Sequence, residues 1–62
     1  MIKIVTNSKG SGDWITVADD KGDLWGGHSK LNVYNLANIL ALAGLEVELV
    51  EVDDTALDEG LY

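Results

Sequence analysis

His28 is the residue of this chain whose side chain is best suited to chemistry, because an imidazole changes its charge near neutral pH. Ser29 follows it directly, but neighbouring residues of a strand point to opposite faces, so the imidazole cannot activate that hydroxyl. The chain contains no cysteine, which removes thiol nucleophiles and thiolate metal ligands. We therefore predict no catalytic residues and no enzymatic activity. We expect the ring of His28 to bond a nearby backbone group and to order the turn before a helix.

Two further stretches have residues that suit ligand binding. Asp19, Asp20 and Asp23 surround one predicted turn, and carboxylates are ligands for hard cations such as calcium. Their spacing does not match the EF-hand loop, whose closing glutamate is missing here. The glycines of 8–13, SKGSGD, suggest a phosphate loop, but a strand is predicted to follow them where such a loop needs a helix. We expect a solvated turn and a plain hairpin loop, with no bound metal and no cofactor.

Four strands and one helix are predicted to position these residues. The strands alternate apolar and polar residues over 1–7, 14–19, 24–29 and 45–53, and the helix lies within 32–44. A right-handed crossover through the helix places the last strand parallel to the first and beside it. The prediction is an α+β fold, β-β-β-α-β, in which a four-stranded mixed sheet of order 4-1-2-3 carries the helix on one face. Residues 1–53 are expected to form a single compact domain, and 54–62 an acidic C-terminal tail that either forms a helical turn or stays mobile.

The predicted helix carries no charged residue, in a chain of which 24% is charged. Asn32 is a suitable N-cap, and Gly44 supplies the left-handed residue that commonly ends a helix. One side forms an apolar stripe for the sheet: Val33, Leu36, Leu40 and Ala43, with Ala37 and Ile39 at its margins. The opposite side is neutral and half apolar: Tyr34, Asn38, Ala41 and Leu42. Either these are ordinary exposed residues, or they form a second buried face against a twin subunit or a partner.

Two tryptophans depend on the register of the third strand. If Asp20 opposes Asp23, Trp14 and Trp25 share the sheet face that the helix leaves open, with Thr16 and Ala18, while Leu24 joins the face under the helix. A bulge at Gly22 would shift the register by one and move Trp25 to the other face. Exposed indoles are typical of interface hot spots. The alternative is that each indole folds over its neighbours.

The composition limits the partners. A formal charge of −7 disfavours direct contact with nucleic acid or anionic membranes, and favours a basic protein partner. With 62 residues and no disulfide, the chain needs another source of stability, and oligomerisation is the one that remains. The absence of cysteine and of a signal peptide leads us to expect a cytoplasmic protein.

Two short motifs support a resemblance. The residues 12–14, GDW, precede an alternating strand and a glycine-containing turn, and 27–29, GHS, precede a leucine-rich helix. This arrangement resembles small proteins of phages and prokaryotes that carry a GDW…GHS pattern, although their helix usually has acidic residues. The resemblance implies a compact, non-enzymatic accessory protein in which Trp14 and His28 hold structural positions.

These observations together predict a small acidic protein-interaction module that acts as a homodimer, as a phage-type accessory or inhibitor protein. Its expected interaction residues are Trp14, Trp25, Tyr34, Asn38, Ala41 and Leu42. The alternative is a nucleic-acid mimic that inhibits a basic DNA-binding protein, which rests on the net charge. Moderate salt should abolish binding by a mimic, whereas an apolar contact should persist.

Overall fold

The computed structural model describes residues 1–29 and 31–62, and the chain in these ranges forms four strands and two helices. In chain order they are β1 (Ile2–Thr6), β2 (Trp14–Asp19), β3 (Gly22–His28), α1 (Val33–Leu42), β4 (Val47–Glu51) and α2 (Asp54–Glu59). β2 is antiparallel to both of its neighbours, and β4 is parallel to β1. The predicted α+β fold, its mixed sheet and the order 4-1-2-3 are confirmed.

β1 lies in the interior of the sheet and is covered on both faces. Ile4 packs with Val33 of α1 and is fully buried. Val5 points to the opposite face, since neighbouring strand residues alternate, and it is fully buried as well. The run of β-branched residues in β1 is what a strand buried on both sides requires.

α1 begins and ends at the predicted signals. The side chain of Asn32 accepts hydrogen bonds from two backbone N–H groups of the first turn, at 3.0 and 3.1 Å. Gly44 has a φ of +90°, and the N–H of Leu45 bonds to the Leu40 carbonyl at 3.2 Å. These are the contacts of a Schellman motif, which satisfies the last carbonyls of the helix. No helix in the described ranges has both the length and the apolar character needed to cross a membrane.

The core lies between α1 and the sheet. Its buried members are Ile4, Ile15 and Val33, and the half-buried residues around them are Ile2, Val17, Leu36, Ala37, Leu40, Val47 and Leu49. α1 packs mainly against β4 and β1. The other half of this sheet face, on β2 and β3, is therefore covered less. Ile39, expected at the margin of the buried stripe, is 62% exposed.

The register of β2 with β3 corrects the prediction for Trp25. Ala18 pairs with Asp23, but Val17 pairs with Trp25, so Leu24 is the extra residue of a bulge. Residues directly opposite each other share a face, so Trp25 lies on the α1 side of the sheet and not with Trp14. Leu24, expected under the helix, is exposed. The irregularity lies at Leu24 and not at Gly22.

The sheet face away from α1, here called the second face, is crossed by the C-terminal segment, 54–62. This segment contains α2, whose N-cap Asp53 accepts a hydrogen bond from the Ala56 N–H at 2.8 Å. Beyond α2, the carbonyl of Tyr62 accepts a hydrogen bond from the Lys3 ammonium at 3.4 Å. The segment therefore spans the second face along β1, which explains why Val5 is buried there.

Candidate functional site

Asn7 connects three parts of the chain at the end of β1. Its side-chain amide donates to Asp13 at 3.1 Å and to Asp54 at 2.7 Å, and its side-chain oxygen accepts from the Trp14 backbone N–H at 2.9 Å. The residue is only 3% exposed, so water cannot replace these bonds. Asn7 thus holds the β1–β2 loop and the first residue of α2 together.

Asp54 receives further hydrogen bonds from the same loop. The Ser11 hydroxyl donates to it at 2.7 Å, and the Ser11 backbone N–H donates at 3.1 Å. Hydrogen bonds from Ser11, followed by that from Asn7, lower the pKa of Asp54 below its ordinary value of 3.8. The charged form of Asp54 is therefore the one that joins the C-terminal segment to the loop.

Acid should loosen this junction. Because the pKa of Asp54 is lower in the folded chain than in the unfolded one, its contribution to stability is complete above pH 3.8 and is lost as the pH falls through the lower, folded value. An NMR titration of the carboxyl carbons should give Asp54 a midpoint below 3.8.

The Asp54→Asn variant should lose less stability than the unchanged chain between pH 4 and pH 2, measured as the midpoint of urea unfolding. Glu59→Gln, at the exposed end of the same helix, is the matched control and should keep the original acid dependence. A midpoint for Asp54 at or above its ordinary value would contradict this role.

An acidic cleft opens on the second face beside this junction. Its volume is about 550 Å³, and its lining includes the carboxylates Asp13, Asp23, Asp54 and Asp58 together with Trp14, His28 and Tyr62. None of the described residues lining it is a lysine or an arginine. Burial, followed by the charge and hydrogen bond of Asp23, raises the pKa of Tyr62 above 10.0, so its phenol stays neutral. Chemically, the cleft suits a cationic group beside an aromatic ring.

Trp14 and His28 form an aromatic pair at one end of the cleft. Their ring centroids are 4.9 Å apart and their planes meet at 82°, an edge-to-face contact. Nδ1 of His28 lies 3.6 Å from Oδ2 of Asp13, so the ring faces a carboxylate where a backbone group was expected. The indole N–H of Trp14 donates to the Thr16 hydroxyl at 2.9 Å. Trp14 is thus held in place by its neighbours.

Two adjacent glycines of β3 accommodate the two indoles, one on each side of the sheet. A Cβ on Gly26 would lie 3.4 Å from the Trp14 ring, and a Cβ on Gly27 would lie 2.9 Å from the Trp25 ring. The Trp25 ring therefore leaves no room for a side chain at Gly27, whereas the distance at Gly26 is that of an ordinary van der Waals contact. Trp25 nevertheless remains 52% exposed.

The four interaction residues expected on the helix lie on the outer side of α1. Tyr34, Asn38, Ala41 and Leu42 are all exposed, and Leu42 is 89% exposed. The Tyr34 hydroxyl donates to Glu51 of β4 at 2.7 Å, and this bond, followed by the charge of Glu51, raises the pKa of Tyr34. The structure does not bring the six expected residues into one site: Trp14 lies on the second face, and Trp25 lies on the α1 side of the sheet.

The acidic turn contacts three different groups. Asp19 accepts from the Lys21 N–H at 2.8 Å, and Asp20 lies 3.3 Å from the N-terminal ammonium of Met1. Asp23 instead lies near the Tyr62 side chain, whose pKa it helps to raise. Among the residues that the structure describes, no group of three or more histidine or acidic side chains is arranged to hold a metal ion.

Neither the role of Asn7 nor the packing of the two indoles against the glycines of β3 was predicted from the sequence. An asparagine that ends an apolar strand is a weak signal, because nothing local identifies Asp54 as its partner. Two tryptophans near a Gly-Gly pair are a stronger one, since an indole packs well against a bare backbone.

The comparisons with known proteins found no match: no protein-family model, no curated protein and no solved structure is significantly similar to this chain.

Proposed function

We propose that this protein is a small acidic protein-interaction module without catalytic activity, which acts as a homodimer and serves as an accessory or inhibitor of a basic partner protein. The observation that carries the proposal is the outer side of α1. It exposes Leu42 almost completely, on a helix that has no charged residue.

The charge distribution favours a second copy on this surface. Each chain carries a formal charge of −7, so two copies repel each other wherever their carboxylates would meet. The outer side of α1, formed by Tyr34, Asn38, Ala41 and Leu42, carries no charge of its own, and the Glu51 carboxylate beside it accepts a hydrogen bond from Tyr34, so two copies would meet few like charges there. Burying one leucine side chain of this kind contributes about 1.5–3 kcal/mol per chain.

Leu42→Lys should shift the protein from dimer to monomer. The substitution places two like charges at the centre of the proposed interface, and we expect the dissociation constant to rise at least about tenfold. Sedimentation equilibrium over a range of protein concentrations measures this, and circular dichroism should show unchanged secondary structure because Leu42 makes no core contact.

Leu61→Lys is the matched control. Leu61 is also exposed but lies in the C-terminal segment, so this variant should dimerise like the unchanged chain. A monomer at all concentrations, or equal dissociation constants for Leu42→Lys and Leu61→Lys, would refute the dimer.

A further inference from the structure

β3 is an open edge of the sheet. Within the described part of the chain it is the outermost strand and pairs only with β2, and all its residues except Gly27 are exposed. Beyond the bulge at Leu24 the pairing of 25–28 with β2 is regular. The backbone N–H and C=O groups of this stretch that do not bond to β2 therefore point outward from the sheet edge at regular intervals. Gly26 and Gly27 add no side chain that would obstruct another strand. Such an edge is a template for pairing with another chain.

The opposite edge, β4, is protected. Glu48 and Glu51 lie within the strand, and charged side chains discourage the approach of another strand. The Tyr34 hydroxyl bonds to Glu51, so one flank of α1 extends over this edge. An additional strand would therefore pair with β3 more readily than with β4.

On the α1 side, the β3 edge adjoins an apolar surface. Tyr34 marks the flank of α1 that faces β4, and Ile39 lies about 140° further around the helix, on the opposite flank. That flank faces the half of the sheet that carries Val17 and Trp25. Trp25 and Ile39 are both more than half exposed, at 52% and 62%. A strand added to β3 would bury its apolar side chains here.

On the second face, the same edge adjoins the acidic cleft. Asp23 belongs to β3, and Asp13 lies beside His28 at its end, with Asp58 also lining the cleft. The side chains of a strand alternate between the two faces. A strand along β3 would thus turn every second side chain towards carboxylates and Trp14, where lysine or arginine is favoured.

We propose that β3 binds an extended segment of a partner protein whose residues alternate between apolar and basic, so that the segment becomes a fifth strand. This inference rests on the proposed function and names the chemistry of the partner. A second copy of this chain is disfavoured at β3, because its own carboxylates would meet those of the cleft. The outer side of α1 remains free for the dimer.

The test uses three synthetic octapeptides with the full chain: one alternates lysine and valine, one has the same composition in two blocks, and one is the alternating peptide with every backbone amide N-methylated. Calorimetry should show that the alternating peptide binds at least about tenfold more tightly than either of the others, since backbone bonds and alternation are both required. Amide hydrogen exchange should slow at 25–28.

Trp25→Ala should weaken the alternating peptide about tenfold, and Leu24→Ala, outside the regular pairing, is the control. Equal affinities for the alternating and block peptides would overturn the proposal, because charge alone would then explain binding. Protection at 47–51 would overturn it as well.

Peptide binding is also measured with the monomeric Leu42→Lys variant. If this variant binds the peptide but does not dimerise, then β3 and the outer side of α1 act as two independent binding surfaces. A dimer without peptide binding refutes this inference alone, and peptide binding without any dimer refutes the homodimer alone.

Discussion

Asn7→Ala should lower the free energy of unfolding by about 3 kcal/mol, the largest effect we expect from a single substitution in this chain. The substitution removes a buried amide that makes three hydrogen bonds, two of them to carboxylates. Hydrogen bonds to charged groups contribute about 1.5–3 kcal/mol each when they are buried. Domains of this size have about 3–9 kcal/mol in total, so urea unfolding of the variant should begin at the lowest concentrations.

Asn35→Ala is the matched control for this experiment. Asn35 is exposed on α1, and its side chain makes no hydrogen bond with another described residue. Its replacement should change stability by less than about 0.5 kcal/mol. Hydrogen exchange in the Asn7→Ala variant should accelerate first in 54–59, because Asn7 holds that helix. If Asn7→Ala were as stable as Asn35→Ala, the three hydrogen bonds of Asn7 would contribute nothing to stability.

Gly10→Ala should lower the free energy of unfolding by about 2 kcal/mol, because the added methyl group would clash at the same junction between the loop and α2. A Cβ at this position would lie 2.9 Å from the backbone nitrogen of Asp54 and 2.7 Å from its carboxylate. A backbone atom cannot rotate away, so the loop and the start of α2 must separate. Thermal unfolding measures the loss, and the NMR signals of Ser11 and Asp54 should shift most.

Gly26→Ala is the control for that experiment. The nearest atoms to its Cβ, on Thr16 and Trp14, lie 3.4 Å away, which small adjustments accommodate. We expect a change below about 1 kcal/mol. Equal losses for the two variants would mean that contact with Asp54 is not what makes Gly10 necessary.

Those parts of the fold that depend on short-range signals were predictable. Asn32 and Gly44 mark the ends of α1 because a cap and a left-handed glycine act within a few residues. The strand order followed from the handedness of one crossover. Asp53 and Gly60 carry the same kind of signal around α2, which the acidic composition of the tail obscured.

The site was less predictable, because it depends on contacts between distant residues. No local feature of β3 places the bulge at Leu24, yet that single extra residue decides which face holds Trp25. The bond between Asn7 and Asp54 joins residues from opposite ends of the chain. A pattern of alternation cannot specify either of them.

The pairing of β1 with β4 should limit the rate at which the chain folds. β1, β2 and β3 are consecutive and are joined by short hairpins, whereas β4 is connected to the other strands through the long crossover that contains α1. Closing so long a loop is entropically slow, so this docking step should limit the rate. Until it occurs, one edge of the most deeply buried strand, β1, is unpaired, and a nascent chain would be most prone to aggregate in that interval.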